Sequence, residues 1–135
     1  MSAVSGLISV GRVIVAGTLI FYGIQHFLFP LFAPGVPLEK VTPPWVLFPV
    51  PLAYIVGLIQ VFTGIGLFVR PTIRIAAATA GITLLLLTIF LYVPILAPGI
   101  NTDLAVEGLN YVFDTLLFAA TTLLAGFGAD HPRRI

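Results

Sequence analysis

The chain has 135 residues, of which 59% are hydrophobic and only 8% are charged, and its formal net charge is +1. So few charged side chains cannot cover a water-soluble domain, and so small a net charge does not indicate a nucleic-acid partner. Because the sequence has no cysteine, it excludes structural disulfides, thiol redox chemistry and thiolate-bound metals within this chain. We therefore expect a lipid bilayer to surround the protein.

The apolar pattern predicts four helices and one long outer loop, residues 30–50. The helices are expected at about residues 7–29, 51–69, 72–97 and 103–127. Each is long enough for a hydrocarbon layer of roughly 30 Å, which takes about 20 residues. The prediction is an all-α fold, an integral membrane up-and-down four-helix bundle, in a single domain covering residues 1–135. A soluble helical protein is the alternative, but its helices would be apolar on one side only.

The first predicted helix carries two ionisable residues, Arg12 and His26, which share one face with the small residue Gly23. We assign Arg12 and Gly23 structural or interface roles. Arg12 either reaches interfacial water and lipid phosphate or makes a buried anchoring bond. His26 is either an interfacial histidine or part of a binding site.

The outer loop is rich in proline and in aromatic residues, which favour the membrane interface. Trp45 is expected to have a structural role there, either in an ordered loop across the bundle mouth or in a simple linker. Further along, Pro71 in a short connection predicts a hairpin of the second and third helices. Pro94 should bend the third helix or end it early.

The fourth predicted helix contains two acidic residues, Glu107 and Asp114. Thr102 and Asp103 are plausible N-caps, and Glu107 suits the positive end of the helix dipole, so we assign Glu107 a structural role. Asp114 lies roughly 15 Å into the helix, where a carboxylate needs a partner, water or a proton. Of the other ionisable side chains, His26 is nearest to it in depth.

These polar residues cluster in the outer half of the predicted bundle. We predict a ligand-binding site there, formed by the side chains of His26, Gln60, Tyr111 and Asp114. No catalytic residue and no metal site is predicted. No cofactor is required by the pattern, and a quinone or a lipid is the ligand that such side chains could hydrogen-bond.

The cationic residues predict the orientation of the helices. Lys40 alone lies on one predicted side, and the opposite side holds Arg12, Arg70, Arg74, Arg133 and Arg134. By the positive-inside rule, we expect both the N and the C terminus to be cytoplasmic.

Several residues together resemble the DoxX family of small bacterial membrane proteins: Arg12, Gly17, Phe21, Gly23, His26 and Phe27, followed by three further spans. Residues 34–40 and 110–114 resemble a DoxX-like subgroup. The resemblance covers nearly the whole chain and implies a bacterial inner-membrane protein. Members of the family are associated with quinone-linked thiosulfate oxidation or with membrane oxidoreductase assemblies. The lack of cysteine and of a basic outer pocket argues against thiosulfate oxidation by this chain.

Three functions are compatible with the sequence. The leading hypothesis is a non-catalytic subunit or accessory protein of a larger membrane redox or transport complex, because the chain offers spans and small residues but no complete reaction centre. Its partners would be other membrane subunits or further copies of itself, and it would not be an enzyme on its own. The alternative is a quinone- or lipid-binding oxidoreductase component, and a second alternative is a small transporter or proton path.

Overall fold

The structure is a computed structural model that describes residues 3–30, 46–99 and 105–128. All regular elements in these ranges are helical. The α-helices are α1 (Ala3–Leu28), α2 (Pro49–Gly66), α3 (Ile73–Leu87), α4 (Val93–Gly99) and α5 (Ala105–Phe127). A 3₁₀ turn, Arg70–Thr72, connects α2 to α3, and a π-helical turn, Thr88–Tyr92, joins α3 directly to α4.

Four helical stretches are long and apolar enough to cross a membrane: Ser5–Leu28, Pro49–Gly66, Arg70–Tyr92 and Ala105–Phe127. Their outer surfaces carry large apolar side chains, such as Leu7 (73% exposed) and Ile75 (71% exposed). A continuous apolar exterior of this kind is stable where lipid covers it. The predicted all-helical architecture of four membrane-length helices is thereby confirmed.

The four long helices pack in a ring in chain order, α1 on α2, α2 on α3, α3 on α5, and α5 back on α1. Consecutive members run in opposite directions: Gly23 of α1 lies against Val61, whereas Ile20, earlier in α1, lies against Gly64, later in α2. The arrangement is an up-and-down bundle. We call the end where α1 ends and α5 begins the distal end.

Glycines allow α1 and α2 to approach closely. A Cβ atom at Gly23 would lie 2.6 Å from Val61 Cγ2 and 2.7 Å from the carbonyl oxygen of Gly57. A Cβ atom at Gly64 would lie 2.7 Å from Ile20 Cγ1. Real Cβ atoms do not approach other atoms so closely, so these positions require glycine as long as the backbones keep this separation.

Glycines also allow α3 and α5 to approach closely. Gly126 packs on Ala77, and Gly81 packs on Leu123. Around this interface, small and aliphatic side chains form the buried core, in the half of the bundle nearer the chain termini. Its buried members are Val15, Ala16, Leu19, Leu67, Ala76, Ala77, Ala80, Leu84, Ala119 and Ala125. The distal half is therefore left with space between the helices.

The helix that begins with α3 continues through the π turn into α4, so the chain remains helical beyond Pro94. The π turn lies just before this proline, and within it the backbone N–H of Val93 donates to the carbonyl of Thr88, five residues earlier. Proline has no N–H group and its ring disturbs the preceding turn, so a local change of helical pitch lets the chain remain helical.

Some predictions fall outside the described residues. They concern Trp45 and most of the outer loop 30–50, and the helix caps Thr102 and Asp103.

Candidate functional site

The distal half of the bundle encloses a cavity of about 460 Å³, which we call the polar cavity. Ten of the thirteen residues that line it carry a polar group. It is lined by Thr18, Tyr22, Gln25, His26, Gln60, Leu84, Leu87, Tyr92, Asn110, Tyr111, Asp114, Thr115 and Phe118. The four predicted ligand-binding residues, which come from three different helices, thus share one space. That they bind a ligand stays a prediction.

The cavity exists because α1 and α5 contact each other less extensively than α1 contacts α2 or α3 contacts α5. On α1, Thr18, Tyr22 and Gln25 follow the spacing i, i+4, i+7 and so share one face, which lines the cavity. On α5, Asn110, Asp114 and their neighbours line the opposite wall. The two weakly packed helices therefore supply most of its polar groups.

Gln60 is the most enclosed polar side chain of the cavity wall, with 4% of its surface exposed. Its amide oxygen Oε1 is buried and has no hydrogen-bond partner among the residues that the structure describes. An unsatisfied buried polar group costs about 1–3 kcal/mol, so such an atom is normally satisfied by water or by a ligand. A polar molecule at the inner end of the cavity could therefore hydrogen-bond Gln60.

Asp114 lies nine residues after Ala105, roughly 14 Å along α5. Its side chain is exposed and faces space shared with the polar cavity. The sequence predicted a carboxylate that needs a partner or water, and the cavity gives it room for either. His26 lines the same cavity, so one molecule placed between them could contact both.

The aromatic side chains fix two walls of the site. The rings of Tyr92 and Tyr111 are stacked, with centroids 5.6 Å apart. Tyr22 lies against Phe118, with centroids 6.0 Å apart, and this contact bridges α1 and α5. Both pairs leave the aromatic walls preorganised before any ligand enters.

The residues assigned structural roles occupy different places. Arg12 is half-buried, and its Nη2 donates to Ser9 Oγ at 3.5 Å. Gly23 lies in the α1–α2 contact. Glu107, in the first turn of α5, has a buried Oε2 atom without a hydrogen-bond partner. None of these three residues lines the polar cavity.

A second, apolar space adjoins the first. This apolar groove, about 440 Å³ in volume, lies between α1 and α5 in the half nearer the termini. Thr18 and Phe118 line both spaces, so the groove continues from the polar cavity. Arg12 lines it nearer the terminal end.

Sequence reasoning missed six polar residues of the cavity: Thr18, Tyr22, Gln25, Tyr92, Asn110 and Thr115. The spacing of Thr18, Tyr22 and Gln25 on one helical face was a usable signal for three of them. Tyr92 had no such signal, because its direction depends on the π turn.

The fold and the cavity define a class: a small protein of four membrane-length antiparallel helices with a polar cavity in one half of the bundle. Among the described residues, no group of three or more His, Asp or Glu side chains could hold a metal ion. No family model, curated protein or solved structure matches the chain.

Proposed function

We propose that this chain is a multi-pass protein of a bacterial inner membrane, similar to the DoxX family, whose polar cavity binds the headgroup of a small amphipathic molecule. The headgroup carries oxygen atoms, as a quinone or a glycerol-based lipid does. Four membrane-length helices support the location, and the polar lining of the cavity supports the binding.

The observation that carries the proposal is the amide of Gln60. In lipid, a polar atom without a partner is more costly than in water, because no solvent reaches it. A headgroup hydroxyl donating to Oε1 would remove that cost. The amide nitrogen of the same side chain could donate to a headgroup carbonyl, so Gln60 suits both oxidation states of a quinone as well as an alcohol.

The remaining cavity groups suit the same headgroup. Asp114 supplies carboxylate oxygens, while His26 and Tyr111 can each donate or accept a hydrogen bond. The stacked Tyr92 and Tyr111 rings add a flat apolar wall. Flat, oxygen-bearing rings fit such a wall better than an inorganic anion does, since the described residues that line the cavity include no lysine or arginine.

The test is a binding titration of the detergent-purified protein with two tail-less headgroup probes, a ubiquinone ring without its prenyl chain and glycerol monoacetate. At least one probe should bind the wild type. Gln60→Leu, which keeps the size but removes the amide, should weaken binding about two- to tenfold, as expected for one lost hydrogen bond. The stronger probe identifies the headgroup chemistry.

The matched control is Thr63→Val on the same helix. The hydroxyl of Thr63 is satisfied within α2, where it donates to the carbonyl of Ile59 at 2.6 Å, and Thr63 does not line the cavity. This variant should bind like the wild type. Failure of both probes to bind the wild type, or equal binding to Gln60→Leu, would contradict the proposal.

A second function, that of an accessory subunit, is favoured by glycines on the outside of α1. A Cβ atom at Gly6 or Gly17 would meet nothing within 4 Å, unlike the glycines inside the bundle. The two positions are eleven residues apart and share one helical face. Outward small residues let another membrane helix approach closely, so we propose that this face contacts a partner subunit or a second copy of this chain.

Gly17→Phe tests the accessory function, because a bulky side chain there obstructs a partner without disturbing the bundle. Chemical crosslinking in native membranes, followed by mass measurement, should show an adduct with the wild type and lose it with Gly17→Phe. Ile82→Phe, which enlarges an exposed residue of α3 away from the face of α1 that carries Gly6 and Gly17, is the control. Identical adducts in all three proteins would remove this function.

A further inference from the structure

The apolar groove differs chemically from the polar cavity that it continues. Among the described residues that line it, Arg12, Thr18 and Thr121 are the polar ones. Thr18 Oγ1 donates to the carbonyl of Ile14 at 2.9 Å, and Thr121 Oγ1 donates to the carbonyl of Leu117, also at 2.9 Å. Since both hydroxyls are satisfied within their own helices, the groove has little need of a polar occupant.

The two spaces meet at one boundary. Thr18 and Phe118 belong to both walls, and the ring of Phe118 is held there by Tyr22. From His26 in the cavity to Ile8 in the groove, the lining of α1 extends over eighteen residues. At about 1.5 Å per residue this is roughly 27 Å, close to the thickness of a hydrocarbon layer.

We propose that the apolar groove holds the tail of the same molecule whose headgroup lies in the polar cavity, so that the ligand has one long apolar chain. This inference rests on the proposed function. The change from polar to apolar walls along one crevice matches a molecule with a compact headgroup and a single tail. A quinone with its prenyl chain and a glycerol lipid with one acyl chain share this chemistry, and the experiment below separates them by their headgroups.

A single-tailed occupant also accounts for the shape of the site. Two helices that cross a membrane side by side normally close their interface with side chains. Here α1 and α5 keep Gly11 and Ala125 on the groove walls. A Cβ atom at Gly11 would meet nothing within 4 Å, so the space beside it is open.

The inference is tested by photo-crosslinking the detergent-purified protein. Two probes carry a diazirine at the end of the tail, a decyl-tailed ubiquinone analogue and a monodecanoyl glycerol. Adducts are located by peptide mass spectrometry. We expect the probe with the better headgroup to label groove residues of α1 and α5, such as Ile14 and Leu124. An excess of the matching tail-less headgroup should suppress this labelling, because head and tail belong to one bound molecule.

Gly11→Phe adds a ring at a position whose Cβ has open space around it, and it should remove most of the groove labelling, while binding of the tail-less probe stays at the wild-type level. Ile82→Phe is the control. Ile82 is an exposed residue of α3 that lines neither the groove nor the cavity. This variant should be labelled like the wild type.

The experiment distinguishes failure of this inference from failure of the proposed function. Tail adducts outside the groove, labelling that survives the headgroup competitor, or equal labelling of Gly11→Phe would overturn the inference, and binding of the tail-less probe would still support the proposed function. If neither tail-less probe binds the wild type, the proposed function fails and the inference fails with it.

Discussion

A buried glutamine in the core of a helical bundle lowers the stability of the protein unless its side-chain amide finds hydrogen-bond partners. Gln60 is 4% exposed and its Oε1 has no hydrogen-bond partner in the described parts of the chain, whereas nearby Thr63 satisfies its hydroxyl within its own helix. Both side chains are buried and polar, yet only Gln60 depends on another molecule. Its effect on stability should therefore depend on whether the cavity is occupied.

The first prediction concerns this dependence. Gln60→Leu should raise the stability of the ligand-free protein by about 1–3 kcal/mol, because the unsatisfied amide is replaced by an apolar group of similar shape. The measurement is thermal unfolding in detergent after extraction of bound lipids and quinones. Thr63→Val, whose hydroxyl is already satisfied, should shift the unfolding temperature little. A large loss of stability in Gln60→Leu would show that the amide is satisfied without a ligand.

The second prediction compares two glycines of α1. Gly23→Ala should destabilise the protein by about 1–3 kcal/mol, because its Cβ would lie 2.6 Å from Val61 Cγ2 and within 3 Å of backbone atoms of α2. Gly17→Ala should stabilise it by about 0.5–1 kcal/mol, because the new methyl group meets nothing and alanine favours a helix. Unfolding of both variants under the same conditions checks the opposite signs. Equal effects would contradict the close α1–α2 contact.

The four interfaces between the long helices differ in how closely the helices pack. The α1–α2 and α3–α5 contacts are close and glycine-dependent, and they hold the bundle together. The α1–α5 contact is looser and leaves the polar cavity and the apolar groove. Two tight pairs joined by a looser seam give a stable scaffold that still admits a ligand between the pairs.

The α2–α3 connection fixes how the two tight pairs are joined. Thr72 Oγ1 donates to the carbonyl of Gly66 at 2.8 Å and to that of Val69 at 2.9 Å, so one hydroxyl satisfies carbonyls at the end of α2. The short connection with Pro71 near the start of the next helix follows the sequence prediction.

The third prediction follows from that hydroxyl. Thr72→Val should destabilise the protein by about 0.5–2 kcal/mol, since it removes the capping bonds but keeps the size of the side chain. Thr72→Ser should recover most of the loss because it restores the hydroxyl. Denaturant unfolding of the two variants provides the comparison, and equal losses would show that the methyl group of Thr72, and not its hydroxyl, stabilises the turn.

For the whole molecule, the sequence predicted the number and approximate limits of the helices because twenty-residue apolar runs have few alternative structures. It also led to four residues that share the polar cavity, since ionisable and amide groups in such runs are costly and tend to face one another. It did not predict the π turn before Pro94, because the disturbance caused by a proline can be relieved by a bend, a break or a change of pitch. The direction of Tyr92 depends on which one occurs.

The apolar groove could not be predicted from the sequence either. Gly11 is a small residue of a kind that usually indicates close contact. Here it borders open space instead. Whether small residues on two helices meet or leave a gap depends on the separation of the helix axes, and that separation is set by the other contacts in the bundle.

The last prediction concerns the side of the membrane on which the distal end lies. The arginines of the α2–α3 connection and of α1 favour cytoplasmic termini under the positive-inside rule, which places the distal end and the polar cavity in the outer half of the bilayer. Because the chain has no cysteine, a single introduced thiol reports its own location. Phe29→Cys should react with a membrane-impermeant maleimide in intact cells, whereas Val69→Cys should react only after the membrane is permeabilised. Both residues are exposed at the ends of their helices, so accessibility within the protein does not separate them. The reverse labelling pattern would place the polar cavity in the cytoplasmic half, and a ligand entering by its headgroup would then come from the inner leaflet.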